Sequence, residues 1–209
     1  MLRHSFSRGE WAWNLTFLGV LAWSAVWPHD RFTWWLEVLP AIIAAVVLLL
    51  LHGRVRLTAL LYWLILLHCI ILMVGGHYTY AEVPLFDWIR DQFGQNRNNY
   101  DKVGHFAQGF VPAILAREIL IRNRVVSGRY WLALFVVSVC LAFSAFYELL
   151  EWWVAELSGG AADDFLGTQG YIWDTQSDMM WALTGAVAAL IFLSGLHDKQ
   201  LSRLEVKTT

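Results

Sequence analysis

Charged side chains are scarce in this sequence. Asp, Glu, Lys and Arg make up 15% of its 209 residues, and 58% of the residues are hydrophobic. A typical soluble domain is about 25% charged and roughly 45–50% apolar. So few charges cannot cover the surface of a soluble chain of this size, and the composition favours a protein solvated by lipid. The 13 Trp residues agree, because amphipathic aromatic side chains gather at the headgroup level of membrane spans.

Cysteine and the common catalytic motifs are also scarce. The two cysteines, Cys69 and Cys140, lie inside apolar runs and are interpreted as small buried hydrophobic residues, not as a disulfide. No Walker motif, Gly-x-Ser-x-Gly or His-Glu-x-x-His occurs, and no basic face indicates nucleic-acid binding. A function must therefore come from residues outside these motifs.

Long apolar stretches predict an all-α fold. A membrane-spanning helix needs about 20 mostly apolar residues to cross roughly 30 Å of hydrocarbon, and six stretches come close to this. We predict a single-domain, polytopic transmembrane bundle over residues 1–209, with spans at about 11–27, 34–51, 57–75, 101–121, 131–153 and 173–195. Between the third and fourth spans, residues 83–93 have the spacing of a short amphipathic helix that lies on the membrane surface.

The basic start of the chain also fits a secretory signal peptide. However, the apolar stretch that follows lacks a small-x-small cleavage site before His29. We therefore expect it to remain as the first span.

The distribution of Lys and Arg predicts the orientation. Basic residues in short loops stay in the cytoplasm, and eleven of the 15 fall on one side of a six-span chain. These eleven are Arg3, Arg8, Arg54, Arg56, Arg117, Arg122, Arg124, Arg129, Lys199, Arg203 and Lys207. Residues 155–172 contain neither Lys nor Arg, as expected of an exported loop. Both termini are therefore predicted to be cytoplasmic.

Three predicted spans carry ionisable residues near their outer ends. The pairs are Asp101 and His105 in the fourth span, Glu148 and Glu151 in the fifth, and Asp174 and Asp178 in the sixth. Residues three or four apart share one helix face, and Gln108 continues the face of His105. Ionisable groups at membrane depth are costly and usually face the bundle interior or a wet cavity. We therefore predict one polar pocket that opens to the periplasm.

A divalent metal ion is the simplest counter-charge for such a pocket, because gathered carboxylates repel one another. Carboxylates with one or two imidazoles suit Mn, Fe, Zn or Mg. His105 and Glu148 are predicted to be the first ligands or general bases, and Asp101, Glu151, Asp174 and Asp178 complete the metal shell. No Glu-x-x-His occurs, so the spacing does not indicate the dinuclear centre of some helical bundles. Alternatively, the carboxylates bridge helices by hydrogen bonds, with Lys102 or Arg97 neutralising some of them.

Other polar residues have simpler interpretations. Glu37 lies near the outer end of the second span and is expected to snorkel or to be hydrogen bonded. His68 is expected to be a satisfied buried histidine, and His77 lies just beyond the outer end of the third span. Asp163 and Asp164 fit a Ca²⁺ site or a solvated acidic turn, in a Gly-rich loop that fits a lid.

Three segments resemble a known family. They are Tyr100-Asp101-Lys102-Val103-Gly104-His105-Phe106, Tyr147-Glu148-Leu149-Leu150-Glu151-Trp152 and the stretch from Gly170 to Met179. In these segments, and along the whole chain, the sequence resembles the YjdF-like family of bacterial inner-membrane proteins. The resemblance implies a multi-pass inner-membrane protein and no particular activity. The Asp-Lys-x-x-His element alone is also similar to one in VanZ-type membrane proteins.

The leading hypothesis is a metal-dependent enzyme that acts on a lipid or another amphiphile at the outer leaflet, by hydrolysis or group transfer. The alternatives are an ion or small-solute carrier and a non-catalytic component of a membrane complex. A carrier needs polar groups along the whole helix, yet the fifth and sixth spans have few toward the cytoplasm. The partners predicted are the bilayer and an amphiphilic substrate, without nucleic acid.

Overall fold

The described part of the chain is helical. The structure is a computed structural model that describes residues 6–158, 163–166 and 168–206, without the side chains of residues 163, 164, 205 and 206. Its helices are α1 (Arg8–Ala25), α2 (Arg31–Leu51), α3 (Ala59–Tyr78), α4 (Pro84–Phe93), α5 (Tyr100–Arg122), α6 (Arg129–Ser158), α7 (Asp163–Leu166) and α8 (Asp174–Val206). One turn of 3-10 helix, Tyr80–Glu82, joins α3 to α4. The predicted all-α class is confirmed.

Four helices are long and apolar enough to cross a membrane, namely α2, α3, α6 and the Asp174–Leu204 part of α8. This confirms a multi-pass helical membrane protein. Helices α1 and α5 coincide with the first and fourth predicted spans, but they are more polar. Arg8 and Glu10 lie in the first turn of α1, and α5 contains Asp101, Arg117 and Glu118. The six-span arrangement and its orientation therefore remain predictions.

Side-chain caps explain why two helices begin before the predicted spans. Ser7 and Glu10 form a capping box at α1, in which the Ser7 N–H donates to Glu10 Oε2 at 2.7 Å. At α2, the Thr33 N–H donates to the Asp30 carboxylate at 2.6 Å. This backbone hydrogen bond holds the pKa of Asp30 below its ordinary value. Each cap satisfies backbone groups that the first turn of a helix leaves without an intrahelical partner.

Helix α3 lies between two apolar clusters. The first joins α1, α2 and α3 through residues that include Trp13, Trp34 and Met73. The second joins α3, α5, α6 and α8 and is built largely from small side chains such as Ala113 and Ala186. The thiols of Cys69 and Cys140 are free and buried in these clusters, as the apolar context predicted.

Helices α5 and α8 make the most extensive contact in the bundle. Their backbones touch directly, because a methyl group at Gly109 would collide with the Ala182 carbonyl and one at Gly185 with the Phe106 carbonyl. Such close approach requires glycine. It places the first turns of α5 beside the first turns of α8, and both helices carry acidic residues there.

The opposite ends of α5 and α8 are joined by a buried polar network. The Glu118 carboxylate accepts hydrogen bonds from Thr58 Oγ1 at 2.7 Å, from His197 Nε2 at 3.0 Å and from Arg122 Nη1 at 3.0 Å. Arg117 Nη1 donates to His197 Nδ1 at 3.0 Å. The sixth span was predicted to end at 195, but α8 continues to Val206. His197 therefore lies inside the protein, fully buried.

Removing the Glu118 carboxylate leaves several buried donors without their acceptor. We expect Glu118→Leu to lower the free energy of unfolding by about 3–5 kcal/mol, since breaking a buried ion pair costs that much. The matched control is Glu82→Leu, because the Glu82 side chain is 59% exposed in its pair with His29 and exposed pairs contribute at most about 1 kcal/mol. Unfolding in mixed micelles, followed by circular dichroism, measures both. Equal losses in the two variants would contradict a structural role for the network.

Candidate metal centre

Three helices bring ionisable side chains together at one end of the bundle. Asp101 and His105 come from the first turns of α5, Glu148 from the last turns of α6, and Asp174 and Asp178 from the first turns of α8. All five residues are only 3–8% exposed. We call this group the acidic pocket. The helical spacing places each pair on one face, and the α5–α8 contact turns two of these faces toward each other.

His105 lies at the centre of the acidic pocket. Its Nε2 atom is 3.2 Å from Asp101 Oδ1 and 3.9 Å from Asp178 Oδ2. Its Nδ1 atom is 2.9 Å from Gln108 Oε1 and 3.8 Å from Glu148 Oε1. The two ring nitrogens therefore face different partners, with two carboxylates near Nε2 and one amide hydrogen bonded at Nδ1.

The spacing around Nε2 fits a metal ion. Asp101, His105 and Asp178 each offer one ligand atom, and these three atoms lie within 4.8 Å of one another. Ligands about 2.0–2.2 Å from a common ion lie roughly 3–4 Å apart in tetrahedral or octahedral geometry. The donor set of one imidazole and two carboxylates suits Mn²⁺, Fe²⁺, Zn²⁺ or Mg²⁺.

Several carboxylate oxygens of the acidic pocket have unused hydrogen-bonding capacity. Asp101 Oδ2, Glu148 Oε1 and Asp178 Oδ1 are buried and accept no hydrogen bond from the residues that the structure describes. A buried polar group without a hydrogen bond costs about 1–3 kcal/mol, and more if it is charged. Arg97 Nη2 lies 3.5 Å from Asp101 Oδ2 and supplies positive charge there. A bound cation would offset the cost at the other two oxygens, so Glu148 Oε1 and Asp178 Oδ1 are a second indication of an ion.

Arg97 supplies positive charge at the rim of the acidic pocket. Its guanidinium pairs with Asp174 and lies 3.5 Å from Asp101 Oδ2, and the Tyr171 ring lies 5.7 Å from it. Of the two cations that the helix-bridging alternative named, Arg97 is the one that forms these ion pairs. That alternative therefore accounts for the Asp174 side of the pocket.

Two segments next to the acidic pocket are hydrogen bonded to each other. The Asn98 backbone donates to Gln169 Oε1 at 3.0 Å, and Gln169 Nε2 donates back to the Asn98 carbonyl at 2.9 Å. These bonds fasten the segment before α5 to the segment before α8. Beside them lies a surface depression of about 350 Å³. Its lining residues are Thr168, Gly170, Tyr171, Ile172, Asp174 and Thr175, and Asp174 is the one that it shares with the acidic pocket.

Glu151, Asp163 and Asp164 are the predicted site residues that remain. Glu151 is half-buried one turn beyond Glu148, within electrostatic range of Glu148 and His105. The side chains of Asp163 and Asp164 lie outside the described residues. Their predicted Ca²⁺ site or acidic turn therefore stays a prediction.

Glu37 is a pocket neighbour that the sequence did not identify. It was expected to snorkel or to be hydrogen bonded. In the structure it is buried and accepts a hydrogen bond from the Tyr80 hydroxyl. It also lies within electrostatic range of Asp101 and His105. The Tyr80 ring occupies space that a side chain at Gly75 or Gly104 would fill. In the sequence, those two glycines indicate that another group packs closely against α3 and α5. Only the fold shows that this group is the Tyr80 ring.

The two histidines of α3 differ from each other. His77 does not join the acidic pocket, because its Nδ1–H donates to the Ser24 carbonyl at 3.1 Å and its ring lies 4.4 Å from that of Trp23. It belongs to the contact between α1 and α3. His68 is half-buried and lies within electrostatic range of His105.

Comparisons with known proteins agree with the helical architecture. A family model described as predicted membrane protein (DUF2238) matches residues 9–199. The inner membrane protein YjdF of Escherichia coli (strain K12) is 53% identical over 194 residues, which are 93% of this chain and 93% of that protein. No solved structure matches the chain. The YjdF-like resemblance of the three segments is confirmed, while the VanZ-type similarity still rests on one short element.

The Arg97–Asp174 pair can be tested by a double-mutant cycle. Removing one partner leaves the other charge buried, so Arg97→Gln should lower the free energy of unfolding by about 3–5 kcal/mol. Asp174→Asn should lower the free energy of unfolding less in the Arg97→Gln background than in the wild type. Arg90→Gln is the control, because Arg90 forms half-exposed pairs with Asp87 and Asp91. Additive losses in the cycle would show that the pair does not stabilise the fold.

Proposed function

The chain belongs to the DUF2238 family of predicted membrane proteins, and we propose that it is an inner-membrane, metal-dependent hydrolase of a lipid or another amphiphile. One observation carries the proposal, namely the convergence of ligand atoms of Asp101, His105 and Asp178 within 4.8 Å in a buried pocket. The name of the Escherichia coli relative supports the inner membrane as the location.

The topology we propose has six spans, both termini in the cytoplasm and the acidic pocket facing the periplasm. The eleven basic residues on one side support this orientation. Helices α1 and α5 support the number of spans, because they coincide with the first and fourth predicted spans. Helix α4 then lies on the periplasmic membrane surface. Leu85, Trp88 and Phe93 are each more than half exposed on one of its faces, as expected of an interfacial helix.

Reporter fusions test this topology. A fusion after Thr209 or near Arg124 should stay cytoplasmic, and one near Gly160 should be exported, because basic loops are retained. Paired alkaline phosphatase and fluorescent-protein fusions at each site measure this. Phosphatase activity at Thr209 would overturn the orientation and place the acidic pocket on the cytoplasmic side.

The metal ion would be held by Asp101, His105 and Asp178. With three protein ligands, such a site keeps a position open for water or substrate. The ion would supply positive charge that stabilises the negative charge developing on a reacting oxygen. Glu151 would add negative charge near this site, whereas the charge of Asp174 is paired with Arg97.

Glu148 is the general base of the proposed reaction. Its Oε1 atom is buried near His105 and accepts no hydrogen bond from the described residues, so it is available to a proton. A water molecule gives a proton to Glu148, and the oxygen of that water forms a bond to the electrophilic atom of an ester. The bond from that atom to the leaving oxygen breaks, and the leaving oxygen takes the proton from Glu148.

An amphiphilic substrate fits the surroundings of the acidic pocket. Ile172 and Trp173 are exposed beside the depression that is lined by Asp174. A Trp ring favours the interface of a bilayer and an Ile side chain favours its hydrocarbon. Reaction at this place suits a molecule whose polar group lies at the interface and whose apolar part stays in lipid.

Two alternatives account for fewer of the observations. For a carrier, the acidic pocket and the Glu118 network should communicate, but fully buried apolar residues such as Ala113, Ile114, Ala186 and Ala189 separate them. For a purely helix-bridging role, the carboxylates should be saturated with hydrogen bonds. Glu148 Oε1 and Asp178 Oδ1 accept no hydrogen bond from the described residues.

Metal binding should stabilise the purified protein. Adding Mn²⁺ or Zn²⁺ at 100 times its dissociation constant should stabilise the fold by about 2.7 kcal/mol, and a chelator should reverse the effect. Asp178→Asn should abolish most of this response, whereas Asp91→Asn, at an exposed carboxylate, should keep it. Thermal unfolding in detergent measures all four cases. A melting curve unaffected by chelator and by every metal would remove the metal from the proposal.

The same preparation tests catalysis. In vesicles of inner-membrane lipid extract, a lipid should be hydrolysed at an ester bond only when both protein and metal are present. Mass spectrometry identifies the products. Glu148→Gln should still be stabilised by metal, more weakly than the wild type, and should lose at least a hundredfold in rate, which is the low end of general base catalysis. Metal binding without hydrolysis of any lipid would leave a metal site but refute the hydrolase.

A further inference from the structure

We propose that Gln108 is a positioning residue that fixes the tautomer of His105, so that the Nε2 lone pair faces the metal ion. This inference rests on the proposed metal site. Gln108 would not contact the ion itself. Its amide oxygen would accept the hydrogen of Nδ1, which leaves Nε2 without a hydrogen and free to act as a ligand.

The geometry around the ring supports this tautomer. Gln108 Oε1 lies 2.9 Å from Nδ1, whereas the Glu148 carboxylate lies 3.8 Å away, beyond hydrogen-bonding distance. On the other side of the ring, Nε2 faces Asp101 Oδ1 and Asp178 Oδ2. A lone pair that faces two carboxylates is repelled unless a cation lies between them. The same three residues form the candidate metal group.

The position of Gln108 is well defined. It is buried on α5, one turn from His105, and the next residue, Gly109, touches the backbone of α8. One stripe of α5 therefore provides two ligands, Asp101 and His105, followed by the group that orients the second. Ligating histidines usually donate their other ring N–H to such a partner, and loss of that partner typically costs about 10–100-fold in metal affinity.

The opposite tautomer is the competing arrangement. In it, the Gln108 amide would be turned, its NH₂ would donate to Nδ1, and Nε2–H would donate to Asp101 at 3.2 Å. His105 would then bridge helix residues and carry no metal at Nε2. The His197 ring has this arrangement, with Nδ1 accepting from Arg117 and Nε2–H donating to Glu118. The bundle thus contains a reference histidine of the opposite tautomer.

Substitutions at Gln108 distinguish the two arrangements. Gln108→Glu keeps an acceptor for Nδ1–H, so its Zn²⁺ and Co²⁺ affinities should equal or exceed those of the wild type. Gln108→Met has a similar size but no amide oxygen, and its affinity should fall at least tenfold, with a changed visible spectrum of bound Co²⁺. Gln176→Met, at an exposed position of α8, is the control and should bind as the wild type does. Equal affinities for wild type and Gln108→Met would overturn the inference.

The ring nitrogens report the tautomer directly. In protein labelled with ¹⁵N-histidine and loaded with Zn²⁺, the His105 signals, assigned with His105→Gln, should show a protonated Nδ1 and a metal-bound Nε2. His197 should show a protonated Nε2 in the same spectrum. A protonated Nε2 at His105 would also overturn the inference.

Failure of this inference is distinguishable from failure of the proposed function. If the wild type binds neither Zn²⁺ nor Co²⁺, the metal site is refuted and the role of Gln108 with it. If the wild type binds metal and the Asp178→Asn variant does not, the metal site stands. The Gln108→Met affinity and the His105 spectrum then decide the positioning role alone.

Discussion

The direct backbone contact between α5 and α8 is the constraint on which the rest of the structure depends. Gly109 and Gly185 each lie against a carbonyl of the other helix. A shift of one helix along the other would bring a larger side chain against that carbonyl, so the register of the pair is fixed. Because the register is fixed, Asp101 and His105 must face Asp178 at one end. At the other end, Arg117 and Glu118 must face His197. Helices α3 and α6 then pack around this pair.

The two ends of this helix pair show opposite uses of buried charge. Around Glu118, each carboxylate oxygen accepts hydrogen bonds and both nitrogens of His197 are bonded. In the acidic pocket, three carboxylate oxygens accept none from the described residues. A saturated network stabilises helix packing, whereas an unsaturated one can bind something else. This contrast within one bundle is the reason to seek function in the acidic pocket.

Several features of the candidate site could be predicted from the sequence. The pairs Asp101/His105 and Asp174/Asp178 are recognisable because helical periodicity places them on one face, and ionisable groups are conspicuous in apolar stretches. Glu37, Tyr80 and His197 could not be assigned in this way. Glu37 and Tyr80 reach the pocket from α2 and the 3-10 turn, and His197 lies beyond the predicted end of the last span. Their contacts depend on how helices distant in sequence pack.

The sequence by itself determined the helical class, the membrane environment and the faces that carry ionisable residues, since each follows from composition and from a period of 3.6 residues. The tertiary structure alone decided which of those residues meet. It placed His105 between Asp101 and Asp178, turned His77 away to Ser24, and directed Arg97 to Asp174. Helix rotation and register depend on close packing between helices, and that packing is a property of residues far apart in the chain.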